Sequence, residues 1–299
     1  MTKTWNRPLM VLVAAMAVLT VVTAVATFTD DRVLLGAPIW LKPFKFSVSF
    51  VLYAGTLAWM LSLLPRRSRA AEWSAIAIVG VALVEMAIIV GQVVRGQTSH
   101  YNETTPLNAM LWAAMGAAIM VLFIGHFIIG VVVLRARIAD RVAATGVRFG
   151  IGAALVGLLV AFPMTMQVPA EDVAGAHTIG ARDGGPGLPV VGWSTVAGDL
   201  RIGHFVGLHA LQALPILAML LTRFATRLDD RTKVRLLRVA GFAYIAMTLI
   251  LTWQALRGQS VVRPDALTLG VVGILIGVTA TAATAVLNRR ERAELALAA

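Results

Sequence analysis

The chain of 299 residues contains no cysteine, and only 14% of its residues are charged. The lack of cysteine excludes disulfides, thiolate metal sites and cysteine nucleophiles. Soluble domains carry about 25% charged residues, so this chain lacks the material for the surface of a soluble enzyme. Acidic residues are scarce too, because 15 Asp and Glu stand against 26 Lys and Arg, which leaves a net charge of +11. The basic residues separate long apolar runs instead of lining a solvated face, so we expect no nucleic-acid partner.

Long hydrophobic runs dominate the sequence. Hydrophobic residues make up 59% of the chain, and the mean hydropathy is +0.82. About 20 apolar residues are needed to cross a hydrocarbon core of roughly 30 Å. Eight segments meet this requirement: 9–28, 44–64, 73–94, 107–134, 149–167, 203–221, 239–256 and 267–287. Backbone polar groups must be paired within lipid, so the sequence predicts an all-α integral membrane bundle of eight transmembrane helices in a lipid bilayer.

Charge asymmetry between the connecting segments predicts the orientation. Eighteen of the 26 Lys and Arg fall on the side that carries both termini. The positive-inside rule assigns this side to the cytoplasm, and the Ala-, Val- and Arg-rich composition indicates a bacterial inner membrane. Ala24-Val25-Ala26 could serve as a signal-peptidase site, which would remove the first span. We expect the span to be retained, because its apolar stretch of about 20 residues exceeds the usual 7 to 15 of a signal peptide.

Two pairs of similar segments suggest an internal repeat. The segment 41–46 (LKPFKF) aligns without a gap with 200–205 (LRIGHF), and 94–98 (VRGQT) aligns with 256–260 (LRGQS). The offsets, 159 and 162 residues, nearly agree. Four helices per unit would leave the two units parallel, related by an axis along the membrane normal. Chance similarity between apolar sequences is the alternative. The predicted units are 1–145 and 146–299.

Polar residues concentrate at the extracytoplasmic end of the predicted helices. Glu85 lies near the middle of the third span, where a charge costs about 2.5 to 3.5 kcal/mol or more. Lys45, in the first turn of the second span, is its expected partner, and we take Glu85 and Lys45 as candidate catalytic residues. The alternative is a structural pair, with Lys45 or a buried His, that only holds the bundle together.

Histidines supply the candidate ligands. His204 and His209 lie on the sixth span, five residues and about 140° apart around the helix, so one ion cannot easily bind both. His209 and Gln212 share a face. His204, His209 and Gln212 form the predicted cofactor-binding group. His100 from a facing loop, together with His204 and His209, forms the predicted metal-binding group. His126 lies much deeper, and we interpret it as a packed or interfacial residue.

The stretch from Gly198 to Pro215, with 40–47 (WLKPFKFS), resembles a pattern in bacterial polytopic membrane proteins of unassigned function. The topology alone, two parallel four-helix halves with both termini inside, resembles haem A synthase, which binds haem between histidines of paired helices. That family brings a His pair from each half. Here Lys45 stands where the repeat places His204, and the eighth span has no His, so the resemblance implies at most one half with a haem ligand.

Three functional hypotheses follow. The first is a haem- or metal-dependent membrane oxidoreductase, or an assembly factor for such a centre, since imidazole suits Zn, Cu and Fe. The second is a small-solute or ion-coupled transporter that uses Lys45 and Glu85 as a switching pair. The third is a structural or signalling subunit whose outer loops bind another membrane protein or a second copy of the chain.

Overall fold

The computed structural model of the protein describes residues 5–167 and 173–298, with side chains through residue 289. Eight helices within these ranges are long and apolar enough to cross a membrane, which confirms the prediction of an all-α bundle with eight spans. The helices are α1 Arg7–Thr29, α2 Leu41–Ser62, α3 Arg69–Val94, α4 Pro106–Arg135, α5 Arg141–Leu159, α6 Phe162–Thr165, α7 Leu200–Phe224, α8 Asp230–Leu256 and α9 Ala266–Ala298. The single-turn α6 continues the span of α5, so it is not a separate crossing.

Two spans begin about two helical turns earlier than hydropathy predicts. The helix α5 begins at Arg141 where the predicted span begins at 149, and α8 begins at Asp230 where the prediction gives 239. Both extensions carry charged residues, which remain helical once the chain leaves the hydrocarbon. The predicted unit boundary after residue 145 therefore falls inside α5, and the preceding connection at 136–140 is the nearest place where one unit could end.

Polar side chains cap most of the long helices and satisfy their first free amides, as helix starts require. The capping residues are Asn6, Ser68, Thr105, Asp140, Asp199 and Asp229. The helix α2 differs, because its N-cap is Trp40, whose side chain makes no capping hydrogen bond. The first turn of α2 contains no acidic residue either.

The helices pack mainly in two sets. In the first, α1 lies along α2 and α3 along α4; in the second, α5, α7 and α8 contact one another and α9 rests on α8. Fewer contacts, between α4 and α5 and between α2 and α7, join the two sets. The helices α5 and α7 approach closely, since a Cβ added to Gly157 would lie 2.5 Å from the backbone nitrogen of Leu208. Small residues permit this contact, as is usual in membrane bundles.

The helices α3 and α8 end in the same turn. Gly96 and Gly258 adopt positive φ angles of 69° and 71° that favour glycine. Just before each glycine, a buried glutamine donates its side-chain amide to the carbonyl six residues ahead: Gln92 to Thr98 at 3.3 Å, and Gln254 to Ser260 at 2.9 Å. The sequence similarity between 94–98 and 256–260 therefore corresponds to a shared local structure. The duplication of the whole unit stays a prediction.

Two short hairpins lie in the connections. Strands β1 Val33–Leu34 and β2 Ala37–Pro38 pair antiparallel, as do β3 Thr178–Ile179 and β4 Gly198–Asp199, with Thr178 opposite Asp199. The second hairpin leads directly into α7, because β4 ends at the residue that caps this helix. It fixes the segment 173–199 over the end of the bundle.

Candidate functional site

Four connections meet at one end of the bundle, which we call the loop face: 30–40, 95–105, the described part of 166–199, and 257–265. Hydrogen bonds join these connections. Ala174 N donates to the carbonyl of Tyr101 at 3.1 Å, and the Ser260 hydroxyl donates to the carbonyl of Ser194 at 3.1 Å. Lys45, on α2, donates to the carbonyl of Val191 at 3.1 Å. The loop face is therefore a single assembled layer over the helix ends.

Eight charged or titratable side chains gather beneath and within this layer. We call them the loop-face cluster: Lys42, Lys45, Glu85, His100, His177, Asp183, Asp199 and Arg201. They come from α2, α3, α7 and the loops, so both sets of helices contribute.

Asp199 and Arg201 form the most ordered part of the cluster. The Asp199 carboxylate is fully buried and accepts from Arg201 Nε at 2.9 Å and from Arg201 Nη2 at 2.6 Å. It also caps α7 by accepting from the Arg201 backbone amide at 3.0 Å, and it accepts from Ser194 N at 2.8 Å. The guanidinium makes a further contact with the carbonyl of Gly192. Arg201 is thus neutralised and held in place.

His177 and Asp183 form a second pair. His177 Nδ1–H donates to Asp183 Oδ2 at 2.6 Å, and the backbone amides of His177 and Thr178 donate to the same carboxylate, each at 3.0 Å. Burial acts to raise the pKa of Asp183, but these hydrogen bonds and the neighbouring imidazole outweigh it and hold the pKa well below its usual range. Burial lowers the pKa of His177, although the Asp183 hydrogen bond opposes this. His177 Nε2 is not used in the pair.

His100 stands among aromatic rings. Its ring centroid lies 5.6 Å from that of Phe46, 5.7 Å from that of Trp112 and 6.1 Å from that of Tyr101. Its Nδ1 lies 3.0 Å from the Ser99 hydroxyl. Burial, followed by the nearby charges of Lys42 and His177, lowers the pKa of His100 well below its usual value. The imidazole is therefore neutral at pH 7.

The charge of Lys42 acts on the Glu85 carboxylate, and the predicted pairing of Glu85 with Lys45 stays a prediction. The Glu85 side chain is only 3% exposed, and it lies nine residues before the end of α3, about 14 Å along the helix. Lys42 also interacts with Arg201, Lys45 and Asp183. Within the part of the chain that the structure describes, neither Glu85 nor Lys42 makes a side-chain hydrogen bond or an ion pair within 4 Å.

A cavity of about 320 Å³ adjoins the cluster within the segment 173–199. Asp183 and Arg201 line its wall, together with Thr178, Ser194 and the backbone of Gly184 and Gly192. Two members of the loop-face cluster are thus accessible from the loop face.

The predicted histidine ligands are not assembled into one site. His204 Nδ1–H donates to the carbonyl of Gly157 on α5 at 2.8 Å. His209 Nδ1 lies 3.3 Å from Gln212 Oε1, and Gln212 Nε2 donates to the Thr56 hydroxyl on α2 at 3.0 Å. His100 lies elsewhere, among the aromatic rings. In residues 5–167 and 173–289, no three His, Asp or Glu side chains are grouped so as to hold a metal ion.

His126 is packed, with no exposed surface. Its Nδ1 lies 2.9 Å from the Tyr53 hydroxyl on α2. Its Nε2 is buried and has no hydrogen-bond partner among the described residues. His126 thus links α2 and α4 deep in the bundle, away from the loop-face cluster.

Sequence reasoning did not select His177, Asp183, Arg201 or Lys42 as site residues. One signal could have found two of them, because the 159-residue offset aligns Lys42 with Arg201. His177 and Asp183 lie in a loop without periodicity. Comparisons of the chain with protein-family models, curated proteins and solved structures give no match.

Proposed function

We propose that the protein is a proton-coupled solute transporter of a bacterial inner membrane, with the loop face outside the cell and both termini in the cytoplasm. The observation that carries this proposal is the lack of hydrogen-bonding partners for the side chains of Glu85 and Lys42 among the described residues. Both are ionisable, both lie within or at the mouth of the bundle, and neither has a hydrogen-bonding side-chain partner among the described residues. Ionisable residues at such depth usually mark solute and proton pathways.

The architecture supports the proposal. Glu85 belongs to the first set of helices and Arg201 to the second, so the loop-face cluster lies between two groups of helices that share few contacts. A relative movement of the groups would change the surroundings of Glu85. A carboxylate that is alternately paired with a cation and exposed to water binds and releases a proton.

Transport is tested with purified protein in liposomes on a solid-supported membrane. Currents are recorded on applying a pH gradient with each member of a panel: phosphate, succinate, glycine, glucose and ammonium. We expect a protein-dependent current with at least one solute, abolished by Glu85→Gln. The matched control is Asp140→Asn. Asp140 caps the start of α5, at the end of the bundle opposite the loop face, so this substitution should leave the current intact. Absence of current with every solute, or an unchanged current in Glu85→Gln, would refute the proposal.

A second candidate is the predicted haem- or metal-binding role, favoured by one observation. His204 uses Nδ1 on a backbone carbonyl and leaves Nε2 available, an arrangement common for metal-bound imidazoles. Among the described residues, His204 would supply one imidazole to such a group, and no three His, Asp or Glu side chains are grouped to hold a metal ion. Absorption spectroscopy and metal analysis of purified protein test this candidate: a Soret band lost in His204→Leu would support it, and a colourless, metal-free protein would reject it.

A further inference from the structure

We infer that His209 forms a lipid-facing binding site for a membrane-soluble molecule with a hydroxyl group, and that this hydroxyl donates a hydrogen bond to His209 Nε2. The site is separate from the proposed transport pathway, because His209 and its partners Gln212 and Thr56 do not belong to the loop-face cluster.

His209 is exposed at a depth where polar side chains are normally covered. It lies nine residues after the start of α7, about 14 Å from the loop-face end of the helix. Glu85 and His126, two other ionisable residues within the spans, are buried, whereas His209 is exposed. Polar residues within a membrane usually face the bundle interior or a water-filled cavity. An exposed imidazole at this depth therefore requires something that covers it.

The helix face that carries His209 is otherwise apolar. Ile216 and Leu220 follow His209 by seven and eleven residues, which places both within about 20° of its direction around the helix. Ile216 is 46% exposed and Leu220 is 47% exposed. Large exposed apolar side chains on a membrane span face lipid, whereas polar side chains line water-filled pathways. A molecule that reaches His209 along this face must be soluble in hydrocarbon.

Hydrogen bonds to α2 fix the tautomer of the imidazole. Gln212 Nε2 donates to the carbonyl of Leu52 at 3.4 Å and to the Thr56 hydroxyl at 3.0 Å. The Leu52 carbonyl can only accept, and the Thr56 hydroxyl donates its own hydrogen to that carbonyl at 2.7 Å. The amide therefore turns Oε1 toward His209, whose Nδ1–H donates to it at 3.3 Å. In a neutral imidazole with its hydrogen on Nδ1, Nε2 is an acceptor.

This acceptor selects the class of ligand. His209 Nε2 has no hydrogen-bonding partner among the described residues, so its ligand must donate. A second copy of the chain, packed on this face around a two-fold axis, would bring the same acceptor to the interface. Carbonyl and ether oxygens are acceptors too. A hydroxyl supplies the missing hydrogen, and both a hydroquinone and a diacylglycerol carry one on an apolar body.

Binding is measured on purified protein in phosphatidylcholine nanodiscs, with empty nanodiscs as the blank. Three radiolabelled probes are titrated without oxygen: dodecylhydroquinone, its dimethyl ether and dioctanoylglycerol. We expect saturable binding of at least one hydroxyl probe, and binding of the ether at least about tenfold weaker than that of the hydroquinone, as the loss of one hydrogen bond requires. His209→Phe keeps a flat ring but removes the acceptor, so it should weaken binding of the hydroxyl probe to the same extent.

Two further variants separate the acceptor from mere packing or exposure. Gln212→Met removes the oxygen that holds the hydrogen on Nδ1, so it should abolish the preference for the hydroquinone over its ether. The control for exposure combines His209→Phe with Ile274→His. Ile274 lies eight residues into α9 and is 69% exposed, so the new imidazole has a similar depth but no glutamine to fix its tautomer. This double variant should not restore binding.

The outcomes identify the source of the hydroxyl or remove the site. Binding of dodecylhydroquinone alone identifies a phenolic ligand, and binding of dioctanoylglycerol alone identifies a lipid alcohol. Equal binding of the hydroquinone and its ether, or equal binding by His209→Phe and the wild type, would overturn the site. A dimer that His209→Phe dissociates would also overturn it, because a second copy would then cover the imidazole. A Glu85-dependent current without hydroxyl-dependent binding would remove this site and leave the transporter standing.

Discussion

The carboxylate of Asp199 should contribute more to stability than any simple helix cap. It is fully buried, and it accepts four hydrogen bonds, from the backbone amides of Ser194 and Arg201 and from two nitrogens of the Arg201 guanidinium. Replacement by Ala removes the cap of α7 and leaves the guanidinium without its carboxylate. Replacement by Asn removes the charge and retains a capping oxygen.

The magnitudes follow from these two roles. Loss of a helix cap costs about 1 kcal/mol. Removal of one partner from a buried ion pair costs about 3 to 5 kcal/mol. Arg201 keeps 22% exposure of its side chain and a bond to the Gly192 carbonyl, so the lower end, about 3 kcal/mol, applies. We therefore expect Asp199→Asn to lower the free energy of unfolding by about 3 kcal/mol, and Asp199→Ala by about 4 kcal/mol.

Asp140 is the matched control. It caps α5 through the amides of Val142 and Ala143, at 2.8 and 2.9 Å, and it forms no ion pair among the described residues. Asp140→Ala should cost about 1 kcal/mol, and Asp140→Asn close to nothing. The assay is reversible unfolding in mixed micelles of dodecyl maltoside and dodecyl sulfate, followed by circular dichroism. Equal costs for Asp199→Asn and Asp140→Asn would show that the Arg201 ion pair contributes no net stability.

Three further predictions concern packing, buried amides and pH. Gly157→Ala should destabilise the protein by about 1 to 3 kcal/mol through overpacking, whereas Gly152→Ala, with nothing within 4 Å of the added carbon, should be neutral or stabilising in the same micelle assay. Gln254→Leu should lower the free energy of unfolding by about 1 to 3 kcal/mol, because the buried carbonyl of Ser260 loses the hydrogen bond from the Gln254 amide. An unchanged free energy of unfolding would contradict this. The lowered pKa values of His177 and His100 mean that the unfolded chain binds more protons below about pH 6.5. The unfolding temperature should therefore fall as the pH drops below this value, and His177→Gln should reduce the fall; a flat pH profile would contradict the assignment.

The number and type of helices follow from the sequence because the bilayer imposes one strong rule. A chain in lipid must pair its own backbone groups over about 20 apolar residues, and this rule locates all eight spans. It does not locate helix ends outside the hydrocarbon. The charged turns at 141–148 and 230–238 are helical in the structure, but hydropathy assigns them to the connections.

The site was predicted less completely. Glu85 stands out in any apolar sequence because a charge at mid-span is expensive, yet its partner could not be chosen from the sequence. Lys42 and Lys45 lie three residues apart near the start of α2, and the sequence alone does not choose between them. His177 and Asp183 meet because the β3–β4 hairpin folds their loop over the bundle, and no periodic pattern encodes this contact.

The 159-residue offset allows the N-terminal cations of α2 and α7 to be compared. It aligns α2 with α7 from their first residues, and it therefore pairs Lys42 with Arg201 and the N-cap Trp40 with the N-cap Asp199. The two helix starts carry equivalent cations, but only one of them carries the carboxylate that caps the helix and neutralises its cation. Trp40 instead donates its indole N–H to Asp30 at 2.7 Å, on the loop side of the helix. The difference at this one aligned position leaves Lys42 without the capping carboxylate that Arg201 has in Asp199.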